Sequence, residues 1–413
     1  MKIKAHHFKL AVIAVLKGSG ALLNILMAYT LMNYSSAESA GLFFFIVSAI
    51  NIASYAFRFG SDNYLIKMFS IRFTEPENYK FISSLYAYNF LLSTVLFFAL
   101  TLFKPEYSQT LCLLTSLCVF LFTLVQINAR VLQAEKKVFS SSFSMSTGVP
   151  LFFLTGLFAY HIFLSENGHS TSIEVMMFFY AAACLLTAFT SFKKNAFVKF
   201  TFNCVRPHYK NSITFFVTGF ISILILWGGQ FLSGIMLSIS DVSTLATIQR
   251  VSMAINLLLV AASIYISPII AQAYHDGDMG KLKNTIYQAN TFIAIFGVSA
   301  GIFIFAFSSF ILDTFKIPDG DKHILLIIST AQIINVLTGN SVQILNMTGH
   351  QKCTQKSVVL GGIVFLIGCI YTALNPSLMN IAITTAAALV TQNLSAIKFV
   401  KKHLGFYPIG IKL

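Results

Sequence analysis

Few residues in this chain have the chemistry to bind or react, and most of those are basic. Only 10% of its 413 residues are charged. Three cations, Lys17, Arg58 and Arg250, fall inside long apolar stretches, and Asp62 is the one carboxylate well inside such a stretch. Ionisable groups are expensive in hydrocarbon and by default mark function. Asn51, Ser54, Tyr55, Arg58 and Asp62 recur at spacings that put them on one face of a helix. Arg58 lies roughly 25 Å from the far end of its stretch at 1.5 Å per residue. Its planar guanidinium can hold an anion through paired N–H donors. Its simpler use is a pair with Asp62 one helical turn on. Asp62 is the acid placed for proton or sodium coupling, a role it loses if water reaches it and leaves its pKa ordinary. Lys17 and Arg250 either bind an anion or snorkel to the membrane surface. Asn51, Gln230 and Asn256 offer neutral hydrogen bonds, to a ligand or between packed helices.

The elements that position these residues follow from composition. The chain is 56% hydrophobic, with a mean hydropathy of +0.76. A soluble domain carries about 25% charged residues. A soluble enzyme, a secreted disulfide scaffold and a disordered chain are therefore excluded, and a polytopic, all-α membrane protein remains. Twelve stretches are long enough to span a bilayer: 10–32, 41–66, 81–103, 108–129, 141–164, 173–192, 212–238, 243–270, 285–312, 324–346, 357–374 and 379–397. Lys2, Lys4 and Lys9 before an apolar run imitate a signal peptide, but the run continues past Leu31 without a small-residue cleavage site. It reads as a retained first span. Twenty-two Lys and Arg fall in loops on one side, against Lys104, Lys316 and Lys322 on the other. That asymmetry predicts both termini in the cytoplasm and an even number of spans. It also accounts for the net charge of +14 without nucleic acid as a partner.

The chain also reads as two halves. The end of the fourth stretch, Ala129 to Lys137, resembles the end of the tenth, Ile344 to Lys352; each is an apolar helix end, a polar turn and basic residues. The loops at Glu38–Leu42 and Asp241–Leu245 also correspond. The expected organisation is a six-helix bundle over 1–192, a basic cytoplasmic connector at 193–211 and a second six-helix bundle over 212–413. Two similar bundles related by an axis along the membrane normal suit alternating access. No filter-like re-entrant segment suggests a channel. There is no G-x-x-x-x-G-K-[ST], so no ATP motif, and no H-E-x-x-H or C-x-x-C; neither a metal nor a cofactor is expected. Among 42 Phe and 16 Tyr, rings suited to stacking on a sugar cannot be told from packing residues.

Several segments carry a family resemblance. They are Glu38-Ser-Ala-Gly41-Leu-Phe, Arg58-Phe-Gly60, Gln133-Ala-Glu-Lys136, Ser267-Pro268 before Gly277-Asp278, and Met347-Thr-Gly349-His-Gln-Lys352. Together with twelve spans, they resemble the polysaccharide-transporter branch of the MATE-like (MOP) exporter superfamily, and within it the Wzx-type O-antigen repeat-unit flippases. The resemblance implies a non-enzyme of the bacterial inner membrane, acting in lipopolysaccharide or related surface-polysaccharide biosynthesis. It implies transfer of an undecaprenyl-diphosphate-linked oligosaccharide from the cytoplasmic to the periplasmic leaflet. The implied partners are membrane lipids, this substrate, and a polysaccharide polymerase and chain-length regulator. Arg58 would then hold a diphosphate or acidic sugar, with Gln230 and Asn256 on sugar hydroxyls. The competing readings are a MATE-type drug or cation antiporter, which would want more buried acids than cations, and a polymerase or ligase, for which the outward loops leave little room.

Overall fold

The apolar stretches form helices because hydrocarbon leaves each backbone N–H and C=O only internal partners. The computed structural model describes the backbone of residues 2–62, 65–66, 76–135, 137–163, 171–191 and 206–409. Side chains are described from residue 16 onward in these segments, except 17, 76–78, 138, 206–212, 214–215 and 264. The helices are α1 (Lys2–Tyr34), α2 (Ala37–Arg58), α3 (Pro76–Phe103), α4 (Gln109–Ala134), α5 (Val138–Ser142), α6 (Gly148–Phe163), α7 (Ile173–Ser191) and α8 (Arg206–Met236). They continue as α9 (Ile239–Met253), α10 (Leu257–His275), α11 (Met279–Ala306), α12 (Ser308–Thr314), α13 (Lys322–Leu337), α14 (Ser341–Met347), α15 (Gln351–Leu374) and α16 (Leu378–Leu404). Among the described residues, helix makes up most of each of the twelve expected stretches. Among the described residues, ten helical segments are long and apolar enough to cross a membrane, as in a multi-pass membrane protein.

Polar residues start these helices. The Ser36 hydroxyl accepts from the Ser39 N–H at 3.1 Å, and Ser108 does the same for Leu111 at 3.1 Å. Ser238 and Asp241 form a reciprocal capping box. Each cap satisfies a backbone donor that the first turn leaves open.

Several stretches expected as continuous spans are broken. The stretch 41–66 is interrupted at Phe59 (φ 47°) and Gly60 (φ 71°), both left-handed, before helix resumes at 61–62. A π turn at Phe143–Thr147 separates α5 from α6, and a 3-10 turn at Ala254–Asn256 separates α9 from α10. Between α13 and α14 the chain turns at 338–340, with Gly339 at φ 61°. Apolar periodicity does not register such breaks, because a one-turn irregularity leaves mean hydropathy unchanged. Non-helical backbone at membrane depth persists only where protein or a watery cavity surrounds it.

Two compact units form, one of residues 34–223 and one of residues 1–33 with 224–413. Residues 192–205, most of the expected connector, lie outside those described. In the 34–223 unit, Phe43 stacks on Phe153 at 5.1 Å and meets Tyr180 edge-on at 5.6 Å. A second core there joins Leu65, Phe81, Ile82 and Leu85 to Ile127 and Val131 of α4. In the other unit α15 and α16 pack along each other, and Ile266, Ile270, Ile286, Ile344 and Val400 form a buried core.

Candidate functional site

The break in the second stretch builds a charged cluster within the 34–223 unit. Arg58 is the last residue of α2, and its side chain is only 6% exposed. Its Nη1 donates to both Asp62 carboxylate oxygens, at 3.0 and 3.2 Å. Its Nε donates to the Ser54 carbonyl at 3.1 Å, and the guanidinium lies 5.3 Å from the centroid of the Tyr55 ring. A second cation arrives from α4: Arg130 Nη2 is 3.6 Å from Asp62 Oδ2, while its Nη1 donates to Gln133 Oε1 at 3.2 Å. Two guanidiniums therefore flank one carboxylate, leaving a formal surplus of one positive charge.

By its position just past the fourth stretch, Arg130 is one of the twenty-two basic residues expected in cytoplasmic loops. Because α4 runs on to Ala134, Arg130 is instead a helical residue turned to Asp62. A signal was present: Gln126, Arg130 and Gln133 keep helical spacing beyond the end assigned to the fourth stretch. The Asp62 side chain, the candidate for coupling, is only 10% exposed beside Arg58 and Arg130.

The surroundings of this cluster hold unmet donors. Ser54 Oγ, Ser61 Oγ and Arg130 Nε are buried and have no hydrogen-bond partner among the described residues. All three can donate, and a buried donor left alone costs about 1–3 kcal/mol. The backbone beside them is tightly constrained. The Phe59 ring stacks on Phe216 at 4.5 Å, and Phe216 on Phe220 at 5.5 Å. A Cβ on Gly60 would lie 2.8 Å from Phe216, and one on Gly219 would overlap the Tyr55 hydroxyl. A bulky residue with a left-handed backbone, such as Phe59, stores strain of about 1–3 kcal/mol, which such packing must hold in place.

The remaining expected residues lie elsewhere. Asn51, half-buried on α2, donates to the Val47 carbonyl of its own helix at 2.8 Å. The Lys17 side chain lies outside the described residues. Arg250 is buried on α9, with Nη1 donating to the Ala246 carbonyl at 2.7 Å. Gln230 is 1% exposed on α8.

Asn256 is linked to three amide residues that nothing in the sequence singles out. Its Nδ2 donates to Gln332 Oε1 of α13, and its Oδ1 accepts from Asn335 Nδ2 at 3.2 Å. Asn393 of α16 donates to Asn335 Oδ1 at 2.9 Å. Hydroxyls and amides continue this polar line: Ser252 meets Ser329 at 2.9 Å, Ser263 bonds Asn340, and Gln343 donates to Ser267 at 2.7 Å. Among the described residues no group of three or more His, Cys, Asp or Glu is arranged to hold a metal ion.

The overall fold is similar to that of solved MATE and other MOP-superfamily transporters. No family model matches the chain, and no curated protein matches it at a significant level. Solved structures do. Lipid II flippase MurJ in an inward closed conformation aligns with a TM-score of 0.71 at 15% identity, over 94% of this chain and 87% of that one. An inward-facing multidrug resistance MATE-family transporter aligns at 0.68 and 12% identity, over 96% and 98%. A MOP-superfamily transporter from Pyrococcus furiosus, described as having a binding pocket of reverse polarity, aligns at 0.63 and 11% identity, over 95% of each chain. At these identities the likeness is one of fold.

Proposed function

We propose that this protein is a flippase that moves an anionic, lipid-linked oligosaccharide across the bacterial inner membrane, from the cytoplasmic to the periplasmic leaflet. The observation that carries this reading is the surplus charge at Arg58 and Arg130, together with the unmet donors Ser54 Oγ, Ser61 Oγ and Arg130 Nε on those residues and their near chain neighbours. An oxyanion such as the diphosphate of undecaprenyl-diphosphate oligosaccharide would neutralise the excess cation and accept from donors of this kind. The physical task fits such a cluster. A diphosphate and its sugars cannot enter hydrocarbon unpaired, whereas the polyprenyl tail can remain in lipid. An O-antigen or related surface-polysaccharide repeat unit is the substrate of choice.

The family resemblance and the likeness in fold to a lipid II flippase support this reading, and the likeness to multidrug exporters supports a drug or cation antiporter as the second. A cationic drug would meet two arginines, the buried Arg58 and the partly buried Arg130, against one acid, which disfavours it electrostatically. The test deletes the gene in its host and follows both long-chain surface polysaccharide and the leaflet holding its lipid-linked unit. Loss of the surface chain, with single units accumulating on the cytoplasmic side, is expected. Normal polysaccharide in a host without a second flippase would overturn the reading and favour efflux. In the complemented deletion, Arg58→Ala is expected to reduce transfer at least about tenfold, since a charge-assisted bond is worth about 1.5–3 kcal/mol.

A further inference from the structure

The second polar region lies at mid-depth. Asn256 and Asn335 sit at the centres of stretches 243–270 and 324–346, where a polar group is most costly in lipid. Both are partly exposed, so their amides are reachable from outside the packed helices. Asn256, Gln332, Asn335 and Asn393 link three helical stretches by amide-to-amide bonds. No ionisable group takes part in these bonds. The chain of bonds is open at both ends: Gln332 Nε2 and Asn393 Oδ1 make no hydrogen bond among the described residues. One end thus presents a donor and the other an acceptor.

A sugar hydroxyl both donates and accepts, so it matches such a pair. A phosphate, which only accepts, does not; nor does an organic cation, which finds no carboxylate there. Resting on the flippase reading, we propose that Gln332, Asn335 and Asn393, with Asn256, form a recognition site for the uncharged sugar hydroxyls of the substrate. The charged cluster in the other unit takes the anionic part, and this amide chain sets selectivity for the glycan.

The test uses the full-length protein in nanodiscs and two probes, undecaprenyl diphosphate and undecaprenyl-diphosphate-N-acetylglucosamine, with binding measured by native mass spectrometry. The wild type is expected to bind the sugar-bearing probe about tenfold more tightly, the worth of two hydrogen bonds of about 0.7 kcal/mol each. Gln332→Leu and Asn393→Leu should each reduce that ratio, and together bring it to one, with binding of the bare lipid diphosphate unchanged. A wild-type ratio of one, or a variant that weakens both probes equally, would overturn the amide site and leave the flippase reading standing. Failure of the wild type to bind either probe would overturn the flippase reading itself. Asn393→Ser, which keeps a hydroxyl, should restore part of the ratio; if it behaves as Asn393→Leu at the same melting temperature, hydrogen bonding by residue 393 is not the cause.

Discussion

The two units solve the problem of polar groups in a membrane in opposite ways. The 34–223 unit gathers charge: Arg58, Asp62 and Arg130 meet beside a break in α2's stretch, with donors left over. The unit containing 224–413 gathers neutral amides: Asn256, Gln332, Asn335 and Asn393 bond one another beside the break at Ala254–Asn256. Charge gives strong attraction to an opposite charge and little else in the way of discrimination. Amides give weak, directional bonds that distinguish one neutral polar group from another. A substrate with an anionic part and a glycan part would use both kinds of site.

Substitutions can break this contrast. The largest effect is expected for Asp62→Ala, which leaves two guanidiniums facing each other without a buried carboxylate. Removing one partner of a buried ion pair costs about 3–5 kcal/mol. A large fall in melting temperature in detergent is expected, and adding Arg130→Ala should recover part of it. If Asp62→Ala melts like the wild type, Asp62 is not the keystone of that cluster.

Next comes Gly219→Ala, whose methyl group would overlap the Tyr55 hydroxyl. Overpacking of a tight contact costs about 1–3 kcal/mol. Loss of melting temperature should be accompanied by weaker anion binding, because Tyr55 lies under the Arg58 guanidinium. Unchanged stability would mean that α8 shifts away from α2 freely.

The smallest effect is expected in the neutral region. Asn335→Leu removes three amide bonds, yet polar pairs in membrane proteins average only about 0.6 kcal/mol each. A stability loss of about 1–2 kcal/mol by chemical denaturation is expected. A loss as large as that of Asp62→Ala would erase the distinction between the two regions.

The residues that composition could single out were those whose mere presence in an apolar stretch is costly. Arg58, Asp62 and Arg250 stood out for that reason, and Arg58 with Asp62 was foreseen as a pair at one helical turn. Arg130 did not stand out, because a basic residue at a stretch end looks like a loop charge until α4 is seen to continue to Ala134. Gln332, Asn335 and Asn393 were missed because single amides are common between packed helices and carry no charge to flag them.

The sequence by itself determined that this chain lies in a membrane, where its helices fall and that its basic residues divide unequally between alternate loops. Those properties are sums over a local window: hydropathy over a span, charge over a loop. Only the tertiary structure decided that Arg130 meets Asp62, and that Asn256 meets Gln332, Asn335 and, through it, Asn393. Those partners lie on helices separated by dozens of residues. Their meeting depends on where a helix breaks and which way it turns, which a local average of hydropathy does not record.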